Sequence, residues 1–195
     1  MQTQKGFTLI EIAIVLVIIG LILGGVLKGQ EMITQAKIRN VANDLNGVSA
    51  AYYGYQDRYR AIPGDDPNAE TRWTAAVTTK GNGDAAITTT GTPSESNLFW
   101  QHLRLAGFIS GPTTSQTPPT NSVGGTTTVQ PGAFGLSGLV VCTNNLPAAI
   151  ANAIDSQFDD GLGKTGQVRG GSSGTTTSTD YVDDGVTRYT VCKNI

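Results

Sequence analysis

Glu11 is the residue whose position most clearly calls for a chemical role, because it is the single ionisable side chain in the apolar stretch from Phe7 to Leu27. On insertion scales, a carboxylate inside a membrane-spanning helix costs about 2.5 to 3.5 kcal/mol. A side chain with that cost calls for a partner of opposite charge or for a function. The chemistry that Glu11 offers is pairing with a cation.

Aspartates beyond the apolar stretch offer a second kind of chemistry. Asp84 follows Asn82-Gly83, and Asp159 and Asp160 form one of three Asp-Asp pairs. Oxygen-rich loops of this kind can bind calcium. No loop matches the spacing D-x-[DN]-x-[DN]-G, and turns use the same residue types without any metal. The sequence therefore predicts ordinary turns and no cofactor, with calcium at Asp84, Asp159 and Asp160 as the alternative.

The remaining residues do not indicate an enzyme or a nucleic-acid-binding protein. His102 is the only histidine, and a catalytic histidine needs a nucleophile and an orienting acid. Nothing in the sequence assigns either group, so we expect His102 to have a structural or surface role. A net charge of −2 gives no basic footprint for nucleic acid.

The apolar stretch is long enough to cross about 30 Å of hydrocarbon as a helix, and three interpretations compete for it. A secretory signal peptide needs a small-residue cleavage site after the apolar run, but Leu23-Gly24-Gly25 offers no A-x-A-like site. A plain membrane anchor accounts for the length but not for Glu11, nor for Gly6 directly before the apolar residues. The third interpretation takes the flanking residues into account.

The run Lys5-Gly6-Phe7-Thr8-Leu9-Ile10-Glu11 resembles the processing site of type IV prepilins and of type II secretion pseudopilins. The resemblance implies that residues 1–6 are a leader and that a prepilin peptidase cuts between Gly6 and Phe7 and methylates the amine of Phe7. Cleavage there would create a positive charge four residues from Glu11, so we expect Phe7 and Glu11 to act in assembly, with Glu11 of one subunit pairing with the amine of Phe7 in its neighbour. The alternative is a contact between Glu11 and the amine of its own Phe7.

On this resemblance we expect a structural subunit of a type IV pilus. Its partners would be the membrane, an inner-membrane assembly platform and further copies of the chain in a helical filament. The precursor would be a single-pass inner-membrane protein with its C-terminal domain outside the cytoplasm, and the assembled filament would be extracellular. The alternatives are a type II secretion pseudopilin, a minor pilin that acts as an adhesin or DNA-uptake module, and an anchored extracytoplasmic enzyme.

One long helix is predicted over residues 7–60, with residues 7–27 as its transmembrane and filament-core part. Residues 28–60 contain no proline, and their apolar residues recur at steps of three and four: Ile38, Val41, Leu45, Val48, Tyr52, Tyr55 and Tyr59. The tyrosines are expected to pack beneath the outer domain. Two prolines and a glycine within 61–67 end the helix.

Residues 61–195 are predicted to form an extracytoplasmic domain with a pilin-like α+β fold, in which the long N-terminal helix packs against a small antiparallel sheet. Short helices are expected after Ser94 and after Pro147, with Gly107 ending the first. The sheet is expected from a strand over 134–142 and a hairpin over 181–192, with loops at 63–93, 112–131 and 170–178. Cys142 and Cys192, in a chain exported by its own anchor, predict one disulfide.

Overall fold

A computed structural model of the protein describes residues 6, 8–74 and 79–195, so the predictions for Lys5 and Phe7 concern residues outside the described part. The elements in chain order are α1 (Leu9–Tyr59), α2 (Ala69–Arg72), α3 (Glu95–Leu105), β1 (Thr127–Ala133), β2 (Leu136–Pro147), α4 (Ala148–Phe158), β3 (Val168–Ser172) and β4 (Arg188–Asn194). The chain divides into two compact units, Met1–Lys37 and Ile38–Ile195.

The first unit contains the apolar part of α1. Every residue from Leu9 to Leu27 is exposed, and no residue of the most apolar 18-residue window is buried. Within the described residues, α1 is the one helix that is long and apolar enough to cross a membrane, judged by length and composition.

In the second unit, α1 buries one face. The buried residues recur at helical spacing, which is the period that the sequence predicts: Val41, Ala42, Leu45, Val48, Ala51 and Tyr55. The helix ends at Tyr59, and Arg60 takes a left-handed conformation with φ of 54°. Pro63 follows shortly after and could not continue a helix. The predicted end of the helix is confirmed.

The four strands form one antiparallel sheet in the order β1-β2-β4-β3. The buried face of α1 shares a single core with this sheet and with α3 and α4, and the core includes Leu45, Trp100, Val141, Ile154 and Val191. The predicted fold class is therefore confirmed: a long N-terminal helix packs against a small antiparallel sheet in an α+β fold. Helices α3 and α4 also lie where the sequence places them, after Ser94 and Pro147.

The first part of the sheet differs from the prediction. The expected loop at 112–131 includes the start of β1, and the strand expected over 134–142 begins at Leu136 and continues to Pro147. β1 is an edge strand whose buried positions alternate with half-exposed ones. Its buried residues are Thr127 and Val129. The strand therefore carries little apolar signal, and its composition predicts a loop.

The predicted hairpin over 181–192 is wrong, because only its second half is a strand. β4 pairs with β2 and β3, and residues 181–187 form no strand. The backbone N–H of Val182 instead donates to the Tyr189 hydroxyl at 2.9 Å. The partner strand β3 includes part of the expected linker at 170–178. A Cβ at Gly170 would lie 2.6 Å from the carbonyl oxygen of Thr190, so close strand approach requires glycine there.

Candidate functional site

The N-terminal end of α1 is held by a reciprocal pair of side chains. The backbone N–H and the hydroxyl of Thr8 donate to Oε2 of Glu11 at 2.7 and 2.8 Å, and the backbone N–H of Glu11 donates to the Thr8 hydroxyl at 3.3 Å. This is the capping-box arrangement, in which two otherwise unpaired N–H groups of a helix terminus are satisfied. Glu11 therefore has a structural task within its own chain.

Thr8 is the residue that the sequence reasoning missed. Threonine followed three residues later by glutamate, directly before an apolar run, is a recognised signature of a helix N-terminus. The signature was visible in Thr8-Leu9-Ile10-Glu11. It explains where α1 begins without recourse to any assembly role.

Glu11 forms no ion pair with the part of the chain that the structure describes. The next basic residue along the chain, Lys28, lies about 25 Å away along the helix by rise per residue. Its ammonium group pairs instead with Glu31, with 2.8 Å between Nζ and Oε2. The carboxylate of Glu11 is thus capped by hydrogen bonds but lacks a cationic partner among the described residues. Gly6 is exposed.

His102 is fully buried, and the backbone uses both of its ring nitrogens. The backbone N–H of Gly64 donates to Nδ1 at 2.9 Å, so Nε2 carries the proton and donates to the carbonyl oxygen of Thr79 at 3.1 Å. Burial lowers the pKa of His102. These bonds connect α3 to Gly64 and Thr79 and give His102 a structural role.

Beside His102 lies a buried carboxylate, Asp66, which has no exposed surface. The Tyr55 hydroxyl donates to its Oδ2 at 2.6 Å, and the backbone N–H of Asn68 donates to its Oδ1 at 2.9 Å. Arg72 forms an ion pair with the same carboxylate. Burial alone would raise the pKa of Asp66, but the hydrogen bonds from Tyr55 and Arg72 outweigh burial and lower it. This network attaches the segment after α1 to the core.

The structure brings Asp84 close to two buried acidic residues, Asp65 and Glu95, with one carboxylate oxygen from each within 4.8 Å of the others. Such a group has the oxygen ligands that calcium takes. The oxygens already accept backbone hydrogen bonds: Asp65 accepts from Gly83 at 2.5 Å and from Ala85 at 2.7 Å. These bonds join distant parts of the chain, whereas Asp84 forms the local turn bond expected from the sequence, accepting the backbone N–H of Ala86 at 3.0 Å.

Asp159 and Asp160 form a second acidic group with Asp155, again with oxygens within 4.8 Å. Asp155 is buried and accepts from the backbone N–H of Gly161 at 2.9 Å and from the Tyr181 hydroxyl at 2.7 Å. Burial raises the pKa of Asp155. Asp159 and Asp160 accept backbone N–H groups from residues 162–168, so this group closes the loop between α4 and β3.

Cys142 and Cys192 are bonded to each other. They face each other as direct partners on β2 and β4, and both are buried in a small cluster that includes Phe134 and Val140. Val141, between two members of this cluster, belongs instead to the core with α1. Because successive strand side chains point to opposite faces, the disulfide lies on the sheet face away from α1.

The N-terminal segment of the chain matches a known protein family. The family model described as the prokaryotic N-terminal methylation motif matches residues 1–27. That segment includes Gly6, Phe7 and Glu11, and the motif is the N-terminal signal of type IV pilins and pseudopilins, so the resemblance drawn from these residues is confirmed for the segment. No curated protein matches the chain.

Proposed function

We propose that this chain is a structural subunit of a type IV pilus, assembled through its N-terminal helix after a prepilin peptidase removes residues 1–6. The observation that carries the proposal is the methylation motif directly ahead of an apolar helix whose residues are exposed from Leu9 to Leu27. Apolar surface of that extent requires lipid or other copies of the helix as its surroundings. A pilin motif indicates a structural subunit in preference to an enzyme.

Cleavage gives Glu11 a cation, which it lacks among the described residues. Hydrolysis of the Gly6–Phe7 bond adds water, leaving a carboxylate on Gly6 and an ammonium group on Phe7, and methylation keeps that positive charge. In a medium of low dielectric, the ammonium of one subunit and the Glu11 carboxylate of its neighbour neutralise each other. The pair thereby favours docking of one copy beside another and sets their relative position.

The competing role for Glu11 is the cap that it forms with Thr8. A cap stabilises the helix end in one chain but does not depend on a neighbour. Glu11→Gln keeps a side chain that can complete a capping box, whereas it removes the charge. We therefore expect Glu11→Gln to lose filaments while its helix, its membrane insertion and its leader cleavage remain.

The test is expression of the full chain together with a prepilin peptidase and an assembly platform, followed by shearing, electron microscopy and mass spectrometry of the sheared material. Filaments made mainly of this chain, with a methylated Phe7 at the amino terminus, are the expected result. Gly6→Leu should leave uncleaved precursor in the membrane. An amino terminus at Met1 in assembled material, or normal filament yield from Glu11→Gln, would contradict the proposal.

The same material distinguishes the other assignments within the motif's family. Short filaments that appear only with a type II secretion apparatus would identify a pseudopilin. A chain present at a few copies per filament of another subunit would identify a minor pilin. The precursor would be anchored in the inner membrane, with residues 61–195 outside the cytoplasm.

A further inference from the structure

Asp44 lines a cavity in the second unit. The cavity measures about 280 Å³ and lies between α1 and the segments that follow α3. Its lining includes Asn43, Asp44 and Gly47 from α1, together with Trp100 and Phe108. The cavity therefore combines one carboxylate with an aromatic wall.

Asp44 has no cationic partner in the described part of the chain. It takes part in none of the ion pairs there. The residue is exposed, and partial burial of its carboxyl raises the pKa of that group. Arg39, five residues earlier on α1, is exposed and likewise forms no ion pair with a described residue. Arg39 and Asp44 are thus charges of opposite sign on one helix, and neither pairs with a described residue.

These two charges cannot pair within one copy. Five residues of an α-helix correspond to a rotation of about 140°, so Arg39 and Asp44 lie on different faces of α1. Contact between one face of a molecule and a different face of the next is heterologous, and such contacts propagate into open helical filaments unless the rotation closes a ring. The placement of the two charges suits an arrangement in a filament.

Gly47 lies three residues after Asp44 on the same face and leaves the helix surface open. A Cβ at Gly47 would meet nothing within 4 Å, so packing inside the chain does not require glycine there. Gly54, by contrast, contacts the ring of Phe108, which a Cβ would approach to 2.7 Å. A helix-interior glycine costs about 1 kcal/mol relative to alanine. Glycine at position 47 carries this cost without an internal packing reason, and the absence of a side chain there would let a second molecule approach the helix backbone closely.

The half-buried ring of Phe108 suits a guanidinium group. Arginine presents a flat, weakly hydrated cation that stacks on aromatic rings and also bonds to a carboxylate. Trp100 is fully buried, whereas Phe108 is half-buried, so of these two rings Phe108 is the one that a second molecule can contact.

We propose that the face of α1 formed by Asn43, Asp44 and Gly47, with its adjoining cavity, receives α1 of a second copy of this chain, and that Arg39 of that copy pairs with Asp44. The inference rests on the proposed filament function and specifies one contact in it. A parallel offset of five residues, about 7.5 Å of helix rise, brings Arg39 of the second copy level with Asp44.

Charge reversal tests the pair in full-length chains under the assembly conditions described above. Arg39→Asp and Asp44→Arg should each lower filament yield at least about tenfold, since like charges then meet at every subunit contact. The double variant Arg39→Asp with Asp44→Arg should restore at least about half of the wild-type yield. Gly47→Leu should lower the yield without unfolding the domain, because the open space within the monomer accepts the side chain.

Asp57→Arg is the matched control, because Asp57 is exposed on the same helix and forms no ion pair among the described residues. Its yield should stay within about twofold of the wild type. An equal loss from Asp57→Arg would overturn the pairing in favour of a net-charge effect, and so would a double variant no better than the single ones. If wild-type filaments form and depend on Glu11 while the reversal fails, the filament function stands and the Arg39–Asp44 contact does not.

Discussion

Tyr55→Phe removes one oxygen atom from the buried network around Asp66, and its cost follows from the geometry. The lost hydroxyl donates to Oδ2 of Asp66 at 2.6 Å, while Asp66 keeps the Arg72 ion pair and the backbone N–H of Asn68. The phenylalanine ring keeps the ring contact with Tyr59, whose centroid lies 4.7 Å away. The hydroxyl also accepts from Nη1 of Arg72, but at 3.5 Å, so the variant removes chiefly the short hydrogen bond to Asp66.

A hydrogen bond to a charged group contributes about 1.5 to 3 kcal/mol, so we expect the free energy of unfolding to fall by about 2 kcal/mol. In an Asp66→Asn background, the hydroxyl meets a neutral acceptor, and the same change should cost only about 1 kcal/mol. The coupling between the two sites is then about 1 kcal/mol, above the scatter of about 0.3 to 0.5 kcal/mol for independent sites.

The pH dependence of this effect has a definite sign. The pKa of Asp66 is lowered in the folded protein, so its contribution is fully present above the unfolded-state pKa of about 3.9 and is lost as pH falls through the folded pKa. The unfolded-state pKa is the same in both proteins, so the difference in stability between wild type and Tyr55→Phe should be constant near neutral pH and narrow as pH falls through the folded pKa of Asp66. Burial lowers the pKa of His102, so its protonation in the unfolded state lowers the free energy of unfolding of both proteins equally below its unfolded pKa of about 6.5.

Urea denaturation of the full chain in detergent, followed by tryptophan fluorescence, measures these differences. Both tryptophans, Trp73 and Trp100, lie in the second unit, so the signal reports on that unit. Tyr53→Phe is the control, because Tyr53 is 55% exposed and its loss should change stability by less than about 0.5 kcal/mol. Additive effects of Tyr55→Phe and Asp66→Asn, or a cost that does not change between pH 6 and pH 3, would refute the reasoning.

Two further predictions concern the second unit. Cys192→Ser should lower the free energy of unfolding by about 2 to 5 kcal/mol, because the bond to Cys142 closes a loop with a sequence separation of 50 residues; thermal unfolding measures this, and reduction of the wild type should reproduce it. Arg104→Met should speed amide exchange in residues 113–119 at least about tenfold, because the buried guanidinium donates to the carbonyls of Ser115 and Thr117, each at 2.7 Å. Unchanged exchange there would show that the segment is held by other contacts.

The helices were predictable from the sequence because their signals are local. The three- and four-residue spacing of Val41, Leu45 and Val48 specifies both a helix and its buried face. Pro147 marks the start of α4, and Gly107 follows the end of α3. Local signals of this kind do not depend on the rest of the chain.

The sheet and the buried network were less predictable because they depend on distant residues. β3 contains Gly170 and Gly171, whose strand conformation comes from pairing with β4 and not from side-chain preference. The Asp-Gly pair at 184–185 indicates a hairpin, yet Tyr181 donates to Asp155 on α4 and this part of the chain does not pair. The partners of Asp66 likewise depend on the path of the segment after α1.

The position of β4 in the sheet determines the order in which the domain can fold. β4 is the last strand in sequence, yet it lies between β2 and β3, and its Tyr189 and Val191 share one core with Val41 and Leu45 of α1. In a nascent chain, the apolar face of α1 is exposed long before the ribosome has made β4, which packs in the same core. Contacts between such distant residues form slowly, and unpaired strands and apolar surface favour aggregation until they do. The second unit therefore cannot complete its core until β4 has been synthesised, and a chain that stops before β4 is a substrate for chaperones and proteases.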